Sequence, residues 1–103
     1  TNLGYIYENV VAQMLLAKGN NLFYYTMDSD SSNRLYEIDF LFSIGNKVCP
    51  IEVKSGNYRS HKSLDLFCTK FSSRIKEKYV VHTKDYKFEN GIKYLPIYMV
   101  PFI

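Results

Sequence analysis

The chain holds only two cysteines, Cys49 and Cys68, and neither stands in a CxxC or Cys/His pair. That spacing excludes the common zinc sites and offers no disulfide framework, so a reducing, cytoplasmic setting fits best. No apolar run approaches the roughly 18 residues of a membrane span, and no signal peptide is legible. A glycine-rich phosphate loop of the GxxxxGK type is missing, as are Ser/His/Asp and Cys/His arrangements; "KSG" and "IGN" are ordinary turns. ATP hydrolysis, if it belongs to the parent polypeptide, is therefore expected elsewhere. Internal repeats and low-complexity segments are also absent. Tryptophan is missing, yet ten Tyr and seven Phe are present. With 103 residues, 47% of them hydrophobic, the composition suits one sheet-rich globular domain with a modest core.

Positive charge is scarce in the first half. Residues 1–53 carry three Lys/Arg against six Asp/Glu, and residues 54–103 carry ten against four, for a net charge of +3. On charge alone an ordinary solvated surface explains this. The alternative is a cation site beside an anion-binding surface.

"NLGYIYENVVAQMLLAK" (Asn2–Lys18) reads as an amphipathic helix, with Leu3, Ile6, Val10, Met14 and Ala17 on one face and Val11 and Leu15 widening the stripe. Gly19 suits its C-terminal cap. "LFYYTM" (22–27) reads as a short strand. "RLYEIDFLF" (34–42) reads as a second, with Ile38, Phe40 and Phe42 on one face and Glu37, Asp39 and Leu41 on the other. "KVCPIEVK" (47–54) is the third: Cys49, Ile51 and Val53 share a face, and Pro50, Glu52 and Lys54 the opposite one. "HKSLDLFCTKF" (61–71) has Leu64, Phe67, Cys68 and Phe71 at helical spacing. A fourth strand is centred on Val80, "ENG" (89–91) is a turn, and "YLPIYMV" (94–100) is a last short strand that Pro96 places at an edge or near an end. The expected fold is α/β, in the order α-β-β-β-α-β plus a short final strand, with a mixed central sheet flanked by helices.

If strands 34–42 and 47–54 pair as a hairpin, Asp39, Glu52 and Lys54 gather on one side. Two carboxylates on adjacent strands repel unless something positive lies between them, and buried charge is costly without a partner. A hard divalent cation resolves the conflict, and oxygen ligands suit Mg²⁺ or Mn²⁺. Lys54 would then hold a bound water and a phosphate oxygen. Glu8, the odd charge beside the apolar stripe of the first helix, is as consistent with a helix surface as with a third ligand. Exposed edge charges or a solvent-facing Glu52–Lys54 pair are the bland alternatives. Arg59, His61, Lys62, Lys70 and Arg74 would form a phosphate-contacting surface, although each alone reads more simply as solvated. Tyr24, Tyr25, Phe40 and Phe42 could stack nucleobases, but their strand periodicity favours core packing.

Asp on one strand, Glu-x-Lys on the next and then a helix resembles the PD-(D/E)XK, restriction-endonuclease-like, nuclease superfamily. The segments "GYIYENVVAQML", "EIDFLF", "PIEVKSG", "RSHKSLDLFCTKF" and "GIKYLPIYMV" resemble one group in particular, the domain of unknown function at the C-terminus of many prokaryotic AAA+ family ATPases. The resemblance covers nearly the whole chain. It implies a single nuclease-like domain over residues 1–103, expected to be cut from a longer ATPase since Thr1 opens directly on a helix. It further implies Mg²⁺ (or Mn²⁺) held by Asp39, Glu52, the Val53 backbone carbonyl and Glu8, with Lys54 as the catalytic lysine. DNA is the implied partner beside the ATPase domain of the same polypeptide, with Arg59, Lys62 and Lys70 on the nucleic acid. Ile38 stands where the motif's name has Pro, and the Gln-x-x-x-Tyr element of some branches has no match. The rival expectations are a catalytically silent DNA- or protein-binding module of that ATPase, and an oligomerisation domain built on the aromatic strands.

Overall fold

The computed structural model describes residues 2–19, 21–28, 35–56 and 60–103. Helix α1 (Asn2–Ala17) is followed by β1 (Phe23–Asp28), β2 (Leu35–Ile44), β3 (Lys47–Val53), α2 (Lys62–Lys70), β4 (Lys78–His82), β5 (Lys87–Glu89), β6 (Ile92–Pro96) and a 3-10 helix (Ile97–Phe102). Among the described residues the strands form one mixed sheet in the order β1-β2-β3-β4-β6-β5. The β1–β2, β2–β3 and β5–β6 pairs are antiparallel, while β3–β4 and β4–β6 are parallel. The edges are β1 and the three-residue β5. The α/β class and the mixed central sheet match the expectation from sequence.

Two facts extend that expectation. A sixth strand, β5, lies where only the turn "ENG" was legible: Asn90 (φ 53°) and Gly91 (φ 78°) both sit in the left-handed region, as a tight hairpin turn requires. The final strand also ends earlier and continues differently. It runs Ile92–Pro96, and Pro96 is indeed at its end, but residues 97–102 wind into the 3-10 helix and seat Val100 in the core.

The helices cover opposite faces. Val11 and Leu15 of α1 pack with Phe40, Phe42, Cys49, Ile51, Tyr79, Val81, Leu95 and Val100. On the other face, Phe67 of α2 packs with Ile38 and Leu41, and Leu64 packs with Val80, Ile92 and Tyr94. Of the stripe expected for α2, Leu64 and Phe67 are buried, while Cys68 and Phe71, the latter just past the helix, pack partly buried beside them. In α1 the packed face is rotated: Val11 and Leu15 are 0% exposed, whereas Leu3 and Ile6 are 50% and 55% exposed. Beyond the helix Gly19 (φ 90°) closes the turn, its N–H donating to the Leu16 carbonyl at 2.9 Å.

Strand β2 departs from simple alternation. Phe23 pairs with Leu41 but Tyr25 with Ile38, so Asp39 and Phe40 together oppose Tyr24. Such a bulge reverses the facing of residues on either side of it. Ile38 therefore faces α2 while Phe40 and Phe42 face α1, and the three do not share the single face their spacing implied.

His82 closes β4 and is buried. Its Nδ1 accepts the Lys84 N–H at 2.6 Å. Burial, first of all, lowers its pKa below 6.5, with Asp85 opposing and Lys84 adding to the effect. The unfolded chain consequently takes up this proton at higher pH than the folded one, so the His82 contribution to stability is present above about pH 6.5 and is lost as pH falls below it. His82→Asn keeps an acceptor without a titration. Its stability, followed by urea unfolding, is expected to decline less than the parent's between pH 7.5 and 5.

Candidate functional site

The bulge sets the direction of Asp39. At the end of the β2–β3 hairpin its Oδ2 accepts the backbone N–H of Val53 at 2.7 Å. Asp39 and Glu8 line one cleft of about 480 Å³, together with Gly4, Tyr5, Tyr24, Tyr25, Thr26, Glu37 and Ile38. Burial pushes the Asp39 carboxyl from 3.8 up to about 7. The Val53 N–H opposes that shift, Glu8 and Glu52 reinforce it, and Lys54 draws it back. Asp39 thus lies within electrostatic reach of all three other predicted site residues.

Glu52 is on the neighbouring strand, only 6% exposed, and pairs in register with Val80 of β4. Its pKa is raised by burial above all, with Lys54 and His61 lowering it and Asp65 raising it. One of its oxygens, Oε2, is buried without a hydrogen bond, and the Lys54 ammonium stands 3.8 Å from it. The Lys54 backbone N–H donates to the Val81 carbonyl at 2.8 Å, which holds the lysine at the C-terminal end of the parallel pair β3–β4. Glu52 does not line the Asp39 cleft. The two carboxylates approach from different sides, Asp39 toward Glu8 of α1 and Glu52 toward His61 and Asp65 of α2, because the bulge moves Asp39 off the face it was expected to share.

Among the described residues no three His, Cys, Asp or Glu stand close enough together to hold a metal ion. The carboxylates a hard cation would have to use are Asp39 and Glu52, which stand on different sides. Mg²⁺ commonly takes one or two carboxylates and completes its shell with water and substrate phosphate. Here both carboxylates are desolvated with raised pKa values, and Glu52, whose Oε2 lacks a hydrogen bond, has the Lys54 ammonium at 3.8 Å and His61 drawing its pKa down.

The expected nucleic-acid contacts are dispersed. Lys62 and Lys70 open and close α2, both exposed, and the Lys70 ammonium donates to the Tyr25 hydroxyl at 3.4 Å. Arg59 lies outside the described residues. Arg74 is turned to the β2–β3 turn, where its Nε donates to the Asn46 carbonyl at 3.2 Å. His61 joins α2 to the sheet: Nδ1 lies 2.9 Å from Asp65 Oδ1 and Nε2 lies 2.8 Å from the Tyr94 hydroxyl. Only the four-residue spacing of His61 and Asp65 foreshadows this network. Tyr94 arrives from a distant strand, a pairing no local pattern encodes. Of the four aromatics expected in the core, Phe40 and Phe42 are buried and Tyr25 packs edge-on to Phe67 and Phe71, but Tyr24 is 77% exposed.

No helix of the described residues is long and apolar enough to cross a membrane. No curated protein matches the chain. Residues 3–100 match the family described as Domain of unknown function (DUF4143), and with nearly its whole length accounted for in this way the chain belongs to that family.

Proposed function

We propose that this domain is a Mg²⁺-dependent DNA phosphodiesterase, a nuclease-like domain carried by a cytoplasmic AAA+ family ATPase. The observation supporting this is a pair of desolvated carboxylates on adjacent strands, half-buried Asp39 beside Glu8 in the cleft and buried Glu52 beside Lys54. Asp39 and Glu52, with the Val53 carbonyl, would hold Mg²⁺ or Mn²⁺, and the bound ion would supply an acidified water and positive charge against a phosphate. The chain's own groups supply the rest. The Val53 N–H fixes the orientation of Asp39. Lys54 holds the attacking water or a phosphate oxygen through its ammonium. Glu8 supports the solvent shell on the Asp39 side. Arg59, Lys62 and Lys70 meet the phosphate backbone by charge alone.

The test incubates the chain with single- and double-stranded DNA in Mg²⁺ or Mn²⁺, beside Asp39→Ala and Lys54→Ala. Cleavage by the parent and its loss in both variants is the expected result. Equal cleavage by all three proteins, or none under any condition, counts against catalysis.

That no three-residue ligand cluster stands among the described residues favours a second reading, a binding or regulatory module of the ATPase that keeps the fold without turnover. Calorimetric titration with Mn²⁺ separates the two. Binding that Asp39→Ala abolishes supports the nuclease, and absence of binding supports the silent module.

A further inference from the structure

The cleft beside Asp39 has a feature the nuclease reading does not use. Tyr5 of α1 and Tyr24 of β1 both line it, and both are largely bare, at 68% and 77% exposed. Their origins differ. Tyr5 precedes Glu8 by three residues, which places both on one side of the helix. Tyr24 stands opposite the β2 bulge. Its ring leans on buried Phe40, with centroids 5.7 Å apart and planes tilted by 46°. Phe40 thus braces one side of the Tyr24 ring while the remainder faces solvent.

The charge of the cleft limits what can enter. Among the described residues its lining holds three acidic side chains, Glu8, Glu37 and Asp39, and no Lys or Arg. A phosphate is repelled there. The flat face of a nucleobase carries no net charge and finds two exposed phenol rings. Bases stack on aromatic side chains with little regard to their identity, each for a gain large enough to read in an affinity measurement. A duplex cannot use this cleft. Its bases are enclosed, and it presents one negative charge per roughly 1.7 Å of axis to any surface it approaches.

We propose that the cleft between α1 and β1–β2 seats unpaired bases, that Tyr5 and Tyr24 are its stacking platform, and that the nucleic acid this domain takes is single-stranded. The proposal rests on the nuclease reading for the presence of a nucleic acid at Asp39, and it names the class of strand. Phosphates of the seated strand pass outside the acidic cleft, toward Lys54 and the exposed Lys70.

Fluorescence anisotropy in EDTA tests this with cleavage suppressed, so failure of the nuclease reading leaves the measurement intact. The probes are a labelled thymidine 12-mer, the same length of abasic strand and a 12-base-pair duplex. The thymidine strand is expected to bind at least about 10-fold more tightly than either of the others, because the abasic strand keeps the phosphates and lacks the rings. Removing one ring, by Tyr5→Ala or Tyr24→Ala, is expected to weaken binding about 5- to 100-fold. Tyr5→Phe and Tyr24→Phe are expected to bind like the parent, since stacking needs the ring and not the hydroxyl. Both side chains are exposed, so the variants remain folded. Equal affinity for abasic and thymidine strands, preference for the duplex, indifference to the alanine variants, or no binding at all overturns the proposal. So does an Arg-rich nonapeptide that binds more tightly than the oligonucleotide and fails to bind the same alanine variants, which assigns the cleft to a basic protein segment.

Discussion

Asp39→Asn is expected to stabilise the metal-free chain at pH 8, by up to about 4 kcal/mol. In the folded protein the carboxyl keeps its proton up to about pH 7, chiefly because it is buried, whereas its ordinary pKa is 3.8. Between those values the folded state holds a proton that the unfolded state has released. Stability therefore falls as pH rises through the window, the reverse of an ordinary ion-paired carboxylate, and the loss is complete only above pH 7. At about 1.36 kcal/mol per unit, the interval from 3.8 to about 7 sets the ceiling. Asn leaves an oxygen for the Val53 N–H and introduces no charge. Urea unfolding in EDTA at pH 4 and pH 8 measures the effect. The variant's advantage should be near zero at the lower pH and several kcal/mol at the higher one, and parallel pH curves for the two proteins would contradict the assignment. Saturating Mn²⁺ should narrow the gap at pH 8 by stabilising the parent alone, since a cation bound only by the folded state adds its binding free energy to stability.

Leu15→Ala is expected to cost about 2–5 kcal/mol, and Ile6→Ala less than about 1 kcal/mol. Both residues belong to the apolar side of α1, and spacing alone ranks Ile6 as the more central. In the fold Leu15 is fully buried against the sheet, so truncation leaves a cavity as well as removing apolar contact, while Ile6 is 55% exposed. For a domain of this size, total stability is on the order of 5–15 kcal/mol, so Leu15→Ala brings the chain close to its limit. Thermal unfolding should register it as a fall of roughly 4–8 °C per kcal/mol. A larger loss from Ile6→Ala than from Leu15→Ala would mean that α1 docks through its other side.

The contrast shows what local pattern encodes. Every element that buries one face between short polar turns was legible, and so were the α/β class and the burial of Leu64 and Phe67 in α2. The facing of α1 was not, because an apolar stripe widened by Val11 and Leu15 spans more than one direction, and the sheet selects which of them is covered. Strand β5 escaped because three residues are too few to show alternation; only its partner β6 makes it a strand. The bulge at Asp39–Phe40 is a register event between two strands, invisible in either alone, yet it decides where Asp39 points. Glu52 and Lys54 were readable as a charged pair on an otherwise apolar strand, and their 3.8 Å approach follows from the two-residue repeat. Tyr24 was misplaced because alternation sets a face and not its cover: it stands beside Phe40 on the edge strand β1 and stays largely exposed.

The two rims of the sheet are not equivalent. Strand β5 is three residues long and carries Lys87 and Glu89, a short charged margin that discourages a foreign strand. Strand β1 is twice that length, reads FYYTMD, and shows neither lysine nor proline along it. Self-association through main-chain pairing is accordingly expected to be one-sided: two copies joined rim to rim through β1 would leave only β5 margins outward, and assembly would halt at a pair instead of propagating into a fibre.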